Sequence, residues 1–298
     1  MIPAATSQGR VPFRDGETWY RVTGELGQGA TPLVVLHGGP GATHDYVSSL
    51  AALATGRAVV HYDQLGCGRS THFPDRGEEF FDVPLFLDEL ETLLAHLGIA
   101  ERYHVLGQSW GGMLGAEHAT RRPVGLRSLV ISNSPASMEL WMREAGRLRR
   151  DLPDDVRATL DRHEAEGTID DPEYLEAAQV FYDRHVCRVV PNPPEVKASL
   201  AAIAANPTVY LTMNGPTEFH CIGSLRTWSI VDRLGAIDVP TLLLSGQYDE
   251  ATPATVQPYF DGIRDVRWER FADSSHMPFV EEPDAYRAAV AGFLAAHD

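Results

Sequence analysis

Cysteine is scarce in this chain. Cys67, Cys187 and Cys221 are odd in number and far apart. They make neither a disulfide framework nor the paired spacing of a metal knuckle, so a reducing compartment is expected. Basic charge is also short: 25 Lys and Arg stand against 41 Asp and Glu, a net charge of −16. Nucleic acid and anionic membrane surfaces both need basic patches, and neither is an expected partner. Lys197 is the only lysine, which points to a GC-rich genome and to nothing chemical. No run approaches the roughly 18 apolar residues of a membrane helix, and Met1 to Val11 lacks the apolar segment of a signal peptide. The expectation is a cytoplasmic soluble protein.

What is present suffices for a sizeable core: 298 residues, 44% hydrophobic and 9% aromatic. That length fits one α/β domain carrying an insertion. Residues 11–36 read as an antiparallel β start, alternating from Thr18 to Thr23 and turning through glycines. Leu33–Leu36 and Ala58–Tyr62 are short continuous apolar runs, as in strands buried on both faces. Between Asp82 and Gly98 the spacing of Leu87, Leu90, Leu94 and Leu97 predicts a helix, with Asp82 as N-cap and Pro84 in its first turn. Tyr103–Leu106 and Leu126–Ser132 are further strands, and strands alternating with helices indicate a parallel sheet. From Asn133 to about Ile230 the rhythm changes to helices near 138–150, 153–166, 172–186 and 194–205. Thr241–Ser245 and Val266–Phe271 restore the strand pattern, and Pro283–Ala296 is an amphipathic helix. The expected architecture is an α/β core, residues 1–132 and 236–298, with a helical cap over 133–235 inserted between its halves.

Gly107-Gln108-Ser109-Trp110-Gly111 is the organising stretch. An apolar strand enters this Gly-x-Ser-x-Gly turn and a small-residue helix leaves it. Such a turn holds its serine in a strained conformation with the hydroxyl exposed at the sheet edge. Two further parts are needed, a base and an acid to orient it. Asp249 follows the strand Thr241–Ser245 and His276 follows Val266–Phe271. All three groups therefore lie beyond carboxyl ends of parallel strands, where open α/β sheets place their sites. The order Ser, Asp, His is that of α/β-hydrolases. For the oxyanion, Trp110 N–H is one donor, and the loop His37-Gly38-Gly39-Pro40-Gly41 offers Gly39 N–H as the other. A phosphate loop is the rival reading of those glycines, but no Gly-Lys-Ser/Thr follows. His44, His61, His72 and His104 make no spaced ligand set, so no metal or cofactor is expected. Asp63 reads as a structural loop residue near Arg69. Trp141, Phe181, Tyr182, Tyr210, Phe219 and Trp228 are either pocket lining or the cap's own core.

These motifs together, with Tyr62-Asp63-Gln64-Leu65-Gly66-Cys67-Gly68-Arg69-Ser70, Gly112 and Tyr248-Asp249-Glu250, resemble the proline iminopeptidase family of serine aminopeptidases. The likeness covers about residues 15–132 and 236–296. It is closer to the branch with the tricorn-associated aminopeptidase and the L-amino-acid amidases than to generic esterases. The resemblance implies an α/β-hydrolase core, a helical cap, no metal, and removal of an N-terminal residue from a peptide or aminoacyl amide. It also implies that Glu218 on the cap and Glu250 beside Asp249 bind the substrate's α-ammonium. Fixed anions opposite an ammonium would select free chain ends over blocked ones. The rivals are an amino-acid amidase, an enzyme lifting a protecting aminoacyl group from a natural-product intermediate, a carboxylesterase, and a non-catalytic binding protein of the same fold.

Overall fold

The computed structural model describes residues 2–298. Its strands are β1 (Ser7–Phe13), β2 (Gly16–Thr23), β3 (Ala30–Leu36), β4 (Arg57–Tyr62), β5 (Tyr103–Gln108), β6 (Leu126–Ser132), β7 (Thr241–Gly246) and β8 (Val266–Phe271). They make one sheet in the order β1-β2-β4-β3-β5-β6-β7-β8. β1 and β2 form an antiparallel hairpin and β2 pairs antiparallel with β4, while every later pairing is parallel. The antiparallel start begins at Ser7 rather than residue 11, because the hairpin register carries Ser7 opposite Val22. Ser7, Gln8 and Arg10 are exposed, so no apolar alternation marks them in the sequence.

The central strands alternate between two cores, which is why they read as unbroken apolar runs. Val34 and Leu36 of β3 face one layer, with Val105, Leu129 and Leu243. Leu33 and Val35 face the other, with Leu106, Val130, Leu242 and Leu244. The first layer is covered by α1 (Val83–His96) and α2 (Trp110–Thr120), the second by a 3-10 helix over His44–Leu53 and the C-terminal helix Pro283–Ala295. α1 starts where the caps dictate. The Asp82 side chain accepts from Leu85 N at 2.8 Å, Pro84 sits in the first turn, and Leu87, Leu90 and Leu94 go into the core.

Between β6 and β7 the chain leaves the sheet through α3 (Met138–Arg150), α4 (Asp154–Glu166), α5 (Pro172–His185), α6 (Pro194–Ala205) and α7 (Thr208–Met213). The last of these, six residues long, is too short to leave a periodic signal in sequence. Leu148, Leu160, Tyr174, Phe181 and Phe219 form a separate small core there. At about 1.5–3 kcal/mol per fully buried large side chain, that cluster orders helices whose other faces are polar. After β7 come three helices, α8 (Pro253–Gly262), α9 (Pro278–Glu281) and α10 (Pro283–Ala295), the last being the C-terminal helix named above.

Candidate active site

The sheet order positions the site before any side chain does. β4 lies on one side of β3 and β5 on the other, so the connections after β3 and β5 part in opposite directions and leave a crevice between them. Leu36 pairs with Gly107, Gln108 with Ser132, and Gly246 with Phe271. The loops after β3, β5, β6, β7 and β8 therefore open on one edge.

Ser109 stands at that edge with φ 56° and ψ −124°, a conformation L-residues rarely hold. The surroundings enforce it. Ser109 N–H donates to Ser132 O at 3.0 Å, and Ser109 O accepts from Gly112 N–H at 2.8 Å as α2 begins. A Cβ on Gly107 would lie 1.9 Å from Gly111 O, and one on Gly111 2.1 Å from Leu36 O. Strand, elbow and helix can cross this closely only without those side chains.

The loop after β3 lies beside the elbow. Gly39 has φ +107°, and a Cβ there would meet Ala42 N at 2.6 Å. Gln64 braces this loop from behind. Its N–H donates to His37 Nε2 and its side-chain amide to His37 O, both at 2.9 Å, while its Oε1 accepts from Trp110 Nε1 at 2.8 Å. With Nε2 accepting, the His37 proton sits on Nδ1, facing Gly38 O at 3.0 Å. Burial holds this imidazole below its usual pKa, so it braces the loop as a neutral group. Gly39 and Trp110 line one cleft with Ser109.

β7 and β8 deliver the remaining pair. His276 Nδ1 lies 2.7 Å from Asp249 Oδ1, and both residues are buried. Asp249 Oδ1 also accepts from Ala251 N–H at 2.8 Å, and its Oδ2 from Asn133 Nδ2 at 2.6 Å. This leaves His276 Nε2 directed away from the aspartate. Ser109, His276, Gly39, Glu218 and Glu250 all line a single cavity of about 60 Å³.

The two glutamates differ in their partners. Glu218 accepts from Tyr210 OH at 2.7 Å, and its carbonyl accepts from Trp141 Nε1 at 2.7 Å. Glu250 is 1% exposed, yet neither carboxylate oxygen has a hydrogen-bond partner among the described residues. Its Oε1 lies 3.7 Å from His276 Nε2. Burial pushes both carboxyls up, and Glu250 well up, with Glu218 and Asp249 adding repulsion. An unpaired buried acceptor is costly to fold, and its cost is recovered only when a donor enters.

The sequence profile of the α/β-hydrolase fold matches residues 31–283. The proline iminopeptidase of Lactobacillus delbrueckii subsp. lactis is 38% identical over 291 residues, 97% of this chain and 98% of that one. The chain belongs to the proline iminopeptidase family. The crystal structure of proline iminopeptidase from Mycobacterium smegmatis is 56% identical with a TM-score of 0.91, covering 98% of each chain. The crystal structure of VinJ is 54% identical with a TM-score of 0.98, covering 99% of this chain and all of that one.

Within this family fold, the other sequence expectations sort cleanly. Asp63 is a loop brace: its oxygens accept from His44 N and Nδ1, both at 2.8 Å, and from Arg69 N at 2.9 Å. Burial raises its carboxyl, but the His44 hydrogen bond and charge outweigh that and hold it below its usual value. The aromatics between β6 and β7 divide. Phe181 and Phe219 belong to the separate small core of that segment, whereas Trp141 and Tyr210 hold Glu218. Trp228 instead donates to Glu117 at 2.8 Å, away from the cavity. Asn133 is a further residue of the site, one that no sequence motif marks. It has φ 52° and is fully buried, and it ties Asp249 Oδ2 to Ser275 O at 3.2 Å. Only its place directly after β6, beside the elbow strand, marks it in the sequence.

Proposed function

We propose that this protein is a serine aminopeptidase that cleaves the amide bond after an N-terminal residue carrying a free α-amino group. Ser109 Oγ attacks the carbonyl carbon, and His276 takes the hydroxyl proton on Nε2. Asp249 holds the imidazole through Nδ1 and stabilises the cation that forms. The N–H groups of Gly39 and Trp110 receive the developing oxyanion. The C–N bond breaks as His276 returns its proton to the leaving amine, and water then hydrolyses the acyl-enzyme by the same route. Glu218 and Glu250 receive the α-ammonium, with residues 133–235 acting as the cap that brings Glu218 over the nucleophile.

One observation carries this reading: a fully buried, unpartnered Glu250 carboxylate in the same cavity as Ser109 and His276. An esterase has no use for that anion. The relatives named proline iminopeptidase support the same substrate class. Three buried free cysteines, and the lack of any described helix long and apolar enough to cross a membrane, support work in a reducing cytoplasm.

A second reading is favoured by the cap. A chamber of about 440 Å³ lies under α5 and α6, lined by Leu175, Tyr182, Val196, Leu200, Ile203 and Tyr210 among others. Val186, Val196, Leu200, Ile203 and Glu218 line both it and the catalytic cavity. That continuity suits an aminoacyl amide whose leaving amine carries a long apolar body, such as a protected natural-product intermediate.

The test is a panel of aminoacyl-arylamides of proline, alanine, leucine and glycine, each free and N-acetylated, run with wild type and Ser109→Ala. The proposal expects turnover of free substrates only, and loss of about 10⁴-fold or more in the alanine variant. Hydrolysis of the acetylated series at the rate of the free one contradicts it.

A further inference from the structure

The catalytic parts come from loops far apart in the chain, and a chain of buried hydrogen bonds joins three of them. Gly38 N–H, next to Gly39, donates to the Tyr46 hydroxyl at 2.6 Å. That hydroxyl donates in turn to Gln108 Oε1, and Gln108 Nε2 donates to the carbonyl oxygen of His276 at 3.0 Å. Gln108 immediately precedes the nucleophile and is fully buried, and Tyr46 is 4% exposed. The Tyr46 ring also packs against Phe279, three residues beyond His276, at 5.9 Å between centroids.

We infer that Tyr46 and Gln108 are positioning residues that fix the oxyanion loop and the histidine loop at a common distance from Ser109. Each link has one donor and one acceptor. A Tyr46 hydroxyl has one proton to give, and it goes to Gln108 Oε1, so the oxygen is free to accept from Gly38. The Gln108 amide then has Nε2 turned to His276 O. The orientation of the whole chain is thus set by the backbone N–H at one end and the backbone carbonyl at the other. Both residues line the catalytic cavity, yet their side-chain polar atoms bond to Gly38 N–H, to each other and to His276 O rather than to the Ser109 hydroxyl or the His276 ring. Losing the hydroxyl strands Gly38 N–H and Gln108 Oε1, both buried, and both loops must relax to find new partners. Movements of about 1 Å at such loops cost on the order of 10²-fold in rate.

This inference rests on Ser109 being the nucleophile, and not on the aminoacyl substrate. The test is therefore phosphonylation of Ser109 in the full chain by a neutral fluorophosphonate, which needs nucleophile, base and oxyanion donors but no ammonium. Tyr46→Phe keeps the ring on Phe279, and Gln108→Met keeps most of the volume. Each is expected to slow labelling and lower kcat on a free aminoacyl-arylamide in parallel, by about 10- to 100-fold. KM and the affinity for the product amino acid stay within about twofold, since the proposed ammonium-binding pair, Glu218 and Glu250, is untouched. The double variant should be no slower than the slower single one, because both break one chain. Labelling at the wild-type rate in Tyr46→Phe overturns the inference, as do multiplicative losses in the double variant. If Tyr46→Phe does not fold, Gln108→Met decides alone by the same two rates. A wild type that labels readily yet leaves aminoacyl-arylamides intact would instead refute the aminopeptidase reading and leave this inference standing.

Discussion

Glu250 Oε1 lies 3.7 Å from His276 Nε2, while Asp249 Oδ1 lies 2.7 Å from the same ring's Nδ1. The imidazole is thus flanked by two buried carboxylates of different standing. Asp249 is satisfied by Ala251 N–H and Asn133, whereas Glu250 has no hydrogen-bond donor among the described residues. The first carboxylate holds the histidine, and the second has the unpartnered oxygens that the proposed ammonium site requires.

A pH dependence follows. Burial pushes Glu250 well above the ordinary carboxyl range, and the charges of Glu218 and Asp249 push it further. An ammonium needs the ionised form, so kcat/KM on a free aminoacyl substrate falls as pH drops through that raised pKa. A small neutral ester lacks this requirement and reports the triad alone. As pH falls, kcat/KM on the aminoacyl substrate is expected to drop relative to that on the ester, because only the former needs Glu250 ionised. Glu218→Gln removes one repulsion and should move that drop toward lower pH. Parallel profiles for both substrates in wild type would contradict this.

Stability moves the opposite way. Because the folded carboxyl of Glu250 has a raised pKa, the folded state holds its proton more tightly than the unfolded chain. Its stabilising contribution is present below the unfolded pKa of about 4.3 and is lost as pH rises through the folded value. Glu250→Gln has no such loss. It should be more stable than wild type at pH 8 by about 1–3 kcal/mol, with the gap closing toward pH 4. Calorimetry at both pH values measures it. A variant less stable than wild type at pH 8 would show that Glu250 supports the fold.

Asn133 is expected to matter through Asp249. Asn133→Asp replaces the donor to Asp249 Oδ2 with a second carboxylate and also releases Ser275 O. The aspartate then turns or takes up a proton, and His276 loses its alignment. A fall in kcat of about 10- to 100-fold with KM nearly unchanged is expected. A change confined to KM would assign Asn133 to substrate binding instead.

Much of this was legible in the sequence. The unbroken runs Leu33–Leu36 and Ala58–Tyr62 marked strands buried on both faces, and Gly107, Ser109 and Gly111 marked the elbow because strand and helix cross within a van der Waals contact there. Ser109, Asp249 and His276 could be read because each follows a strand. The ends of β1 were not legible, since exposed polar residues pair there through backbone alone. Asn133, Tyr46 and Gln108 were missed for a related reason. Their roles lie in side-chain bonds to groups up to 168 residues away in the chain, and no local pattern encodes those. Glu218 was reached only by family resemblance, because its placement depends on how the helices between β6 and β7 pack and not on a local pattern.

Glu218→Gln separates recognition of a free amine end by these glutamates from a structural role. The substitution keeps the size and the acceptor for Tyr210 OH but removes the charge. Charge-assisted hydrogen bonds are worth roughly 1.5–3 kcal/mol, so kcat/KM on a free aminoacyl-arylamide should fall about ten- to a hundredfold. On a small neutral ester it should change by less than about threefold. Equal losses on the two substrates would make Glu218 a structural residue of the cap and contradict recognition of the amine end.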